Sequence, residues 1–174
     1  MTRFAARAAT VARIRQAHYR MKGVLWMMAT VLLAGLAACG DDDAAGPTDP
    51  EDVTFAAQTG VNLAGMTKLP SGVYVQTLTQ GTGTSQITAN TAFIADYTGW
   101  IPNGTVFQAA RFDRAFRPSD LVPGFGDGVI GMRVGEKRKL VIPSRLGYAD
   151  APPPGSGIPV NSVLIFDVTI VSIQ

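Results

Sequence analysis

The stretch Ser162-Val163-Leu164-Ile165-Phe166-Asp167-Val168-Thr169-Ile170-Val171-Ser172-Ile173 alternates along its whole length. Successive side chains of a strand point to opposite faces. Val163, Ile165, Asp167, Thr169, Val171 and Ile173 therefore share one face, and Leu164, Phe166, Val168 and Ile170 share the other. The second set is uniformly apolar and is expected to face a core. Further strand signals lie upstream. Val73-Tyr74-Val75-Gln76-Thr77-Leu78 is rich in β-branched and aromatic residues and is broken by Gln80-Gly81-Thr82-Gly83. Thr91 to Trp100 is a second strand ending at the turn Pro102-Asn103-Gly104, Thr105-Val106-Phe107 resumes one, and Lys137 to Pro143 is another. Only Gly126 to Met132 has helical spacing, with Val129, Ile130 and Met132 apolar and Asp127 in the first turn. Five or six strands around one short helix make an α+β roll.

The remainder of the 174-residue chain divides by charge. Residues 1–38 hold six cations (Arg3, Arg7, Arg13, Arg15, Arg20, Lys22) and no acid, which leaves a net of −4 for residues 39–174. The overall charge of +2 thus belongs to the leader and does not suggest a nucleic-acid partner. An apolar run from Gly23 to Ala38 follows the cations, too short for a spanning helix of about 20 residues and suited to a signal-peptide core. Its end, Leu36-Ala37-Ala38-Cys39-Gly40, resembles the lipobox of bacterial lipoproteins, in which the Cys is lipidated and becomes the first residue. The expectation is a signal peptide over 1–38, lipidation at Cys39 and a place in the cell envelope. Gly40 after the Cys points to the outer membrane, facing the periplasm. Met21-Lys22 ahead of the apolar run is an alternative start.

From Gly40 to about Gly65 there is little to bury. Asp41-Asp42-Asp43 and Asp49-Pro50-Glu51-Asp52 place six acids in twelve residues, which reads as a solvated linker over 39–66. The regular spacing of a calcium loop is missing. Phe55, Val61, Leu63 and Met66 could form a short turn packing on the domain, expected at 67–174.

His18 and Cys39 are the only histidine and cysteine. With the leader removed, a Ser-His-Asp triad, a Cys-His nucleophile, a zinc site and an internal disulfide are all excluded. No P-loop, dinucleotide glycine fingerprint or basic-aromatic interleaving is present.

Six short motifs, in order, then carry a resemblance. They are Tyr97-Thr98-Gly99-Trp100, Asn103-Gly104-Thr105-Val106-Phe107, Leu121 to Val129, Met132 to Arg138, Ile142 to Tyr148, and Gly157 to Val168. The domain resembles an FKBP-type peptidyl-prolyl isomerase (immunophilin), a bent antiparallel sheet wrapped around one short helix. The resemblance implies isomerisation of X-Pro bonds in exported proteins, no cofactor and no metal. It also implies proline-containing polypeptides as partners and macrolide immunophilin ligands as binders.

By the same resemblance Phe125, where the family usually has Trp, is the floor of a proline pocket. Tyr97, Phe107, Val122, Ile158 and Phe166 are its walls, Leu121 its rim, and Phe116 a further pocket aromatic. Tyr148 offers its hydroxyl to a substrate carbonyl, and the Val122 N–H is a second anchor. Tyr97, Phe107, Gln108, Tyr148 and Phe166 are the expected catalytic set. Phe116, Leu121, Val122, Phe125 and Ile158 are the expected substrate contacts. One position departs from the pattern: Gln108 stands where the family has Asp, so it can accept a hydrogen bond but supplies no charge. Arg111 or Arg114 then needs Asp113 or Asp96 as partner. The loop from Ala109 to Asp120 is about three residues shorter than usual, and Ala151-Pro152-Pro153-Pro154-Gly155-Ser156 is proline-rich and about one residue longer. A non-catalytic peptide-binding or chaperone module is the alternative reading.

Overall fold

A computed structural model describes residues 48–174. Lipidation at Cys39 and the signal peptide lie outside the described residues. Six antiparallel strands form one sheet: β1 (Thr67–Lys68), β2 (Tyr74–Thr79), β3 (Phe93–Trp100), β4 (Val106–Arg111), β5 (Lys137–Ile142) and β6 (Leu164–Ile173). Their order is β1-β2-β5-β6-β3-β4, so the long alternating β6 lies in the interior between β5 and β3. Register shifts between Thr77 and Thr79, Ile94 and Ala95, and Gly99 and Trp100 mark the places where strands bend.

The single α-helix among the described residues, α1, runs Pro123–Val129, three residues earlier than the apolar spacing suggests. The physical reason lies at both ends. Pro123 occupies the first turn, where its missing N–H costs nothing and its fixed φ suits the helix. Beyond Val129 the chain turns extended at Ile130 and left-handed at Gly131 (φ +80°), so Met132 cannot continue it. The helix packs tightly on β5, since a methyl on Gly128 would lie 2.7 Å from Leu140 Cδ2. Likewise β4 continues to Arg111 instead of stopping at Phe107, because Gln108, Ala109, Ala110 and Arg111 all pair with β3.

Between sheet and helix lies the main core. Leu164, Phe166, Val168 and Ile170 of β6 meet Phe93 and Ala95 of β3, Leu140 and Ile142 of β5, and Phe125 and Val129 of α1. The opposite face of β6 is not solvent-facing throughout. Val163 and Ile165 are buried there with Tyr74 and Val141, beneath Val53, Phe55, Val61, Leu63 and Met66.

Among the described residues, the part of the linker stretch from Thr48 to Met66 packs on the domain, with Phe55, Val61, Leu63 and Met66 placed as the expected turn. Residues 50–66 form a strap of three 3-10 turns, Pro50–Asp52, Ala57–Thr59 and Leu63–Gly65. Five polar ties hold it and the residue before it. Lys139 Nζ donates to the Thr59 carbonyl at 2.7 Å and to Asp167 at 2.5 Å. The Tyr74 hydroxyl donates to Glu51 at 2.6 Å, and Lys68 pairs with the same carboxylate. Arg145 pairs with Asp49, and Ala56 N–H reaches the Pro102 carbonyl at 2.9 Å. The apolar residues of the strap outweigh its acids, because their burial withdraws both them and the sheet face from water.

Candidate active site

A cavity of about 80 Å³ opens where the start of α1 meets β3, β4 and β6. Tyr97, Phe107, Gln108, Phe112, Leu121, Val122, Phe125, Tyr148 and Phe166 line it. Phe125, in the first turn of α1, and Phe166, from the core face of β6, are nearly fully buried at 3% and 4% exposure. Their ring centroids are 5.1 Å apart, edge to face at 81°. Phe107 stands edge-on to Phe166 at 5.6 Å, and Tyr97 packs on Phe112 at 5.1 Å. Each pair keeps the offset or T-shaped geometry that aromatic quadrupoles favour, so the rings form a rigid cradle. Gly99 makes this possible, because β3 crosses directly against the rings. A methyl there would sit 2.5 Å from Phe107 Cζ and 2.9 Å from Phe166 Cε1.

The polar groups at the rim are uncharged. Burial holds the phenols of Tyr97 and Tyr148 above their ordinary value, and the neighbouring Tyr148 adds to the effect on Tyr97. Both hydroxyls therefore remain protonated donors. Gln108 is exposed and opposes Gly99 across the β3–β4 pair. Val122 precedes the helix. Its carbonyl accepts from Phe125 and Gly126 N–H at 2.9 and 3.1 Å, which fixes the peptide on its C-terminal side.

The structure brings together eight of the expected residues: Tyr97, Phe107, Gln108, Leu121, Val122, Phe125, Tyr148 and Phe166. Two it places elsewhere. Phe116 lies behind the wall: its ring packs on Phe112 at 4.9 Å, and its backbone exchanges two 2.9 Å bonds with Phe93. The Arg114 guanidinium covers that ring at 4.6 Å. Phe112 fills the role instead, which the shortened loop made hard to see. It lies five positions after Phe107, so strand alternation would turn it outward, but β4 ends at Arg111 and the chain folds in. Ile158 lines an adjoining cleft with Phe107, Gln108, Tyr148, Pro153 and Pro154, and packs into the main core. A left-handed Gly157 (φ +71°) turns the chain just before it.

No carboxylate lines the cavity among the described residues. Asp96 does partner Arg111, at 2.6 and 2.8 Å, and that guanidinium holds its carboxyl below the usual carboxylate range. The pair bridges β3 and β4 beside a separate polar cleft, so it does not restore a charge to the aromatic site.

A sheet folded over one short helix, with an aromatic cavity that offers shape and hydrogen bonds but no acid or base, is the make-up of an immunophilin-type domain. Residues 83–171, about half of the chain, match the family model for FKBP-type peptidyl-prolyl cis-trans isomerase, and the chain belongs to that family. It is 33% identical over 107 residues to the FK506-binding protein of Neisseria meningitidis, a match that covers 59% of this chain and 96% of that protein. It is 37% identical over 112 residues to FK506-binding protein 4 of Mycosarcoma maydis, covering 62% of this chain but only 29% of the relative. Among solved structures, a peptidyl-prolyl cis-trans isomerase from Pseudomonas syringae superposes with a TM-score of 0.59 at 26% identity, over 68% of this chain and 89% of that one. FkpA from Escherichia coli gives 0.57 at 30% identity, over 63% and 52%.

Proposed function

We propose that the chain accelerates cis–trans exchange at X-Pro bonds of exported polypeptides while held to the cell envelope by lipid on Cys39. The observation that carries the catalytic part is the cavity, with its aromatic walls and uncharged rim. Rotation about an X-Pro bond crosses a barrier near 20 kcal/mol and takes about 10–100 s unaided. No bond breaks and no proton leaves. The twisted amide has lost resonance, so an apolar cradle that accepts the proline ring and favours the twisted form is sufficient. Each tenfold acceleration needs about 1.4 kcal/mol of preferential binding to it. Tyr148 and the Val122 N–H serve as donors to the carbonyls on either side. The lipobox-like Leu36-Ala37-Ala38-Cys39 supports the anchor, and Gly40 supports the outer membrane. Relatives named for binding FK506 support a macrolide of that class as a competitive ligand of the cavity.

Gln108 favours a second reading, a module that binds proline-containing segments without turning them over. One experiment separates the two: the cis-to-trans rate of an X-Pro peptide with the native chain and with Gln108→Asp. Acceleration by the native chain supports the isomerase. Activity gained only in the variant supports the binding module, and a folded pair that is inert in both forms refutes the proposal. Lipid attachment is tested by radiolabelled palmitate, whose incorporation should vanish in Cys39→Ser.

A further inference from the structure

Leu121 borders two spaces. One side lines the aromatic cavity; the other meets a broader cleft formed with Ala89, Pro118, Pro123 and Ile130. Ile130, just after α1, is 42% exposed and separates that cleft from another containing Leu69 and Pro70. Each of the two clefts offers about 370 Å³. Isolated exposed apolar side chains are ordinary, but here the exposed Ala89, Pro123, Ile130 and Pro70 adjoin the half-buried Leu121 and Leu69, so apolar surface runs on from the rim of the cavity. Asp127 lines both clefts, whereas Arg138 is committed to Glu136 at 2.7 Å and to the carbonyls of Gly128 and Ile130 at 2.8 and 3.1 Å. The path is thus mostly apolar, with Ser119, Ser71 and one free-standing acid, Asp127, along its edges.

We propose that this path is a docking groove for the same client chain. With proline in the cavity, an apolar side chain two or three residues along the client crosses Leu121 and seats against Ile130. This rests on the cavity being the proline site. Continuity argues for the occupant: an extended chain advances roughly 3.3 Å per residue, so two or three residues clear a ridge one leucine wide. The contact lies away from the rotating bond and is the same before and during rotation. It therefore lowers KM and leaves kcat alone. Unfolded clients, whose apolar residues are still exposed, are thereby preferred.

The test measures exchange kinetics of the full chain with three peptides. One is a short X-Pro tetrapeptide; two longer ones carry Leu or Ser at the second and third positions on both sides of the proline. The native chain should show a KM about fivefold lower for the Leu peptide, from roughly 40 Å² of apolar surface withdrawn from water. Ile130→Ser should abolish that preference with kcat and tetrapeptide turnover unchanged. Equal KM values in the native chain, or a preference that survives Ile130→Ser, overturn the groove while tetrapeptide turnover leaves the isomerase standing. Absent tetrapeptide turnover overturns the isomerase and the groove together. Sedimentation velocity supplies the last arm: a native dimer that dissociates in Ile130→Ser assigns this face to a second copy and overturns client docking.

Discussion

Gly99→Ala is the sharpest test of the aromatic cradle. The added methyl meets Phe107 Cζ at 2.5 Å and Phe166 Cε1 at 2.9 Å, whereas carbon atoms settle at about 3.5–4.0 Å. The rings must yield by about 1 Å. Phe166 cannot, because it is clasped by Phe125 and almost wholly buried. Phe107 is only half-buried and its ring tip is the free end of a side chain, so it moves and takes the cavity wall with it. Overpacking of this kind costs about 1–3 kcal/mol, and each kcal/mol lowers Tm by about 3–6 °C in a domain of this size. A displacement near 1 Å in a binding wall can lower turnover by about a hundredfold. Differential scanning calorimetry and exchange kinetics on X-Pro peptides read the two effects. Adding Phe107→Leu to the variant should recover most of the Tm but little turnover, with a coupling above about 0.5 kcal/mol. A Gly99→Ala protein with native Tm and native kcat/KM would refute this account of the site.

Other outcomes follow from the same geometry. The titratable groups lining the cavity are Tyr97 and Tyr148, both pushed up by burial, so kcat/KM should be flat with pH and decline only above the ordinary phenol range. Gln108→Asp should introduce an acid limb near the carboxylate range. Glu51 is pulled down from 4.5 to about 2, first by the hydrogen bond from Lys68 and then by that from Tyr74. A depressed folded pKa contributes stability above about 4.5 that is lost as pH falls towards 2. The Tm gap between the native chain and Glu51→Gln should thus be constant near neutrality and close between those values. Lys139→Met strands the Thr59 carbonyl and takes one of two lysines from Asp167, which Lys137 still meets at 3.3 Å. The expected loss is about 1–3 kcal/mol, with faster limited proteolysis across residues 53–66.

Strand texture was enough to find the sheet and the short helix, and the family resemblance carried by the ordered motifs named eight residues that line one cavity. Leu164, Phe166, Val168 and Ile170 alternate, and alternation survives folding. What escaped was set by non-local events. Phe55, Val61, Leu63 and Met66 already read as a turn that packs on the domain, but that Val163 and Ile165 are the residues buried beneath it depends on where the strap docks, which no local pattern states. Phe112 enters the cavity because β4 ends at Arg111, and a strand end is a tertiary outcome that period-two reasoning cannot locate. The helix began at Pro123 although its apolar residues cluster later, so Pro123 was a better marker of position than hydrophobicity.

The strap also sets a leash length. Under the proposed anchor at Cys39, Thr48 lies nine positions along the chain and is already tied to the domain by its N–H bond to Ser144 Oγ, so the tether is at most that long. Fully extended, that is roughly 30 Å of chain, against about 95 Å had everything to Met66 been free. An isomerase so closely moored would sample a thin layer of the periplasm rather than its depth. Its cavity would meet chains as they cross or leave the membrane surface, at a local concentration that a longer tether would dilute.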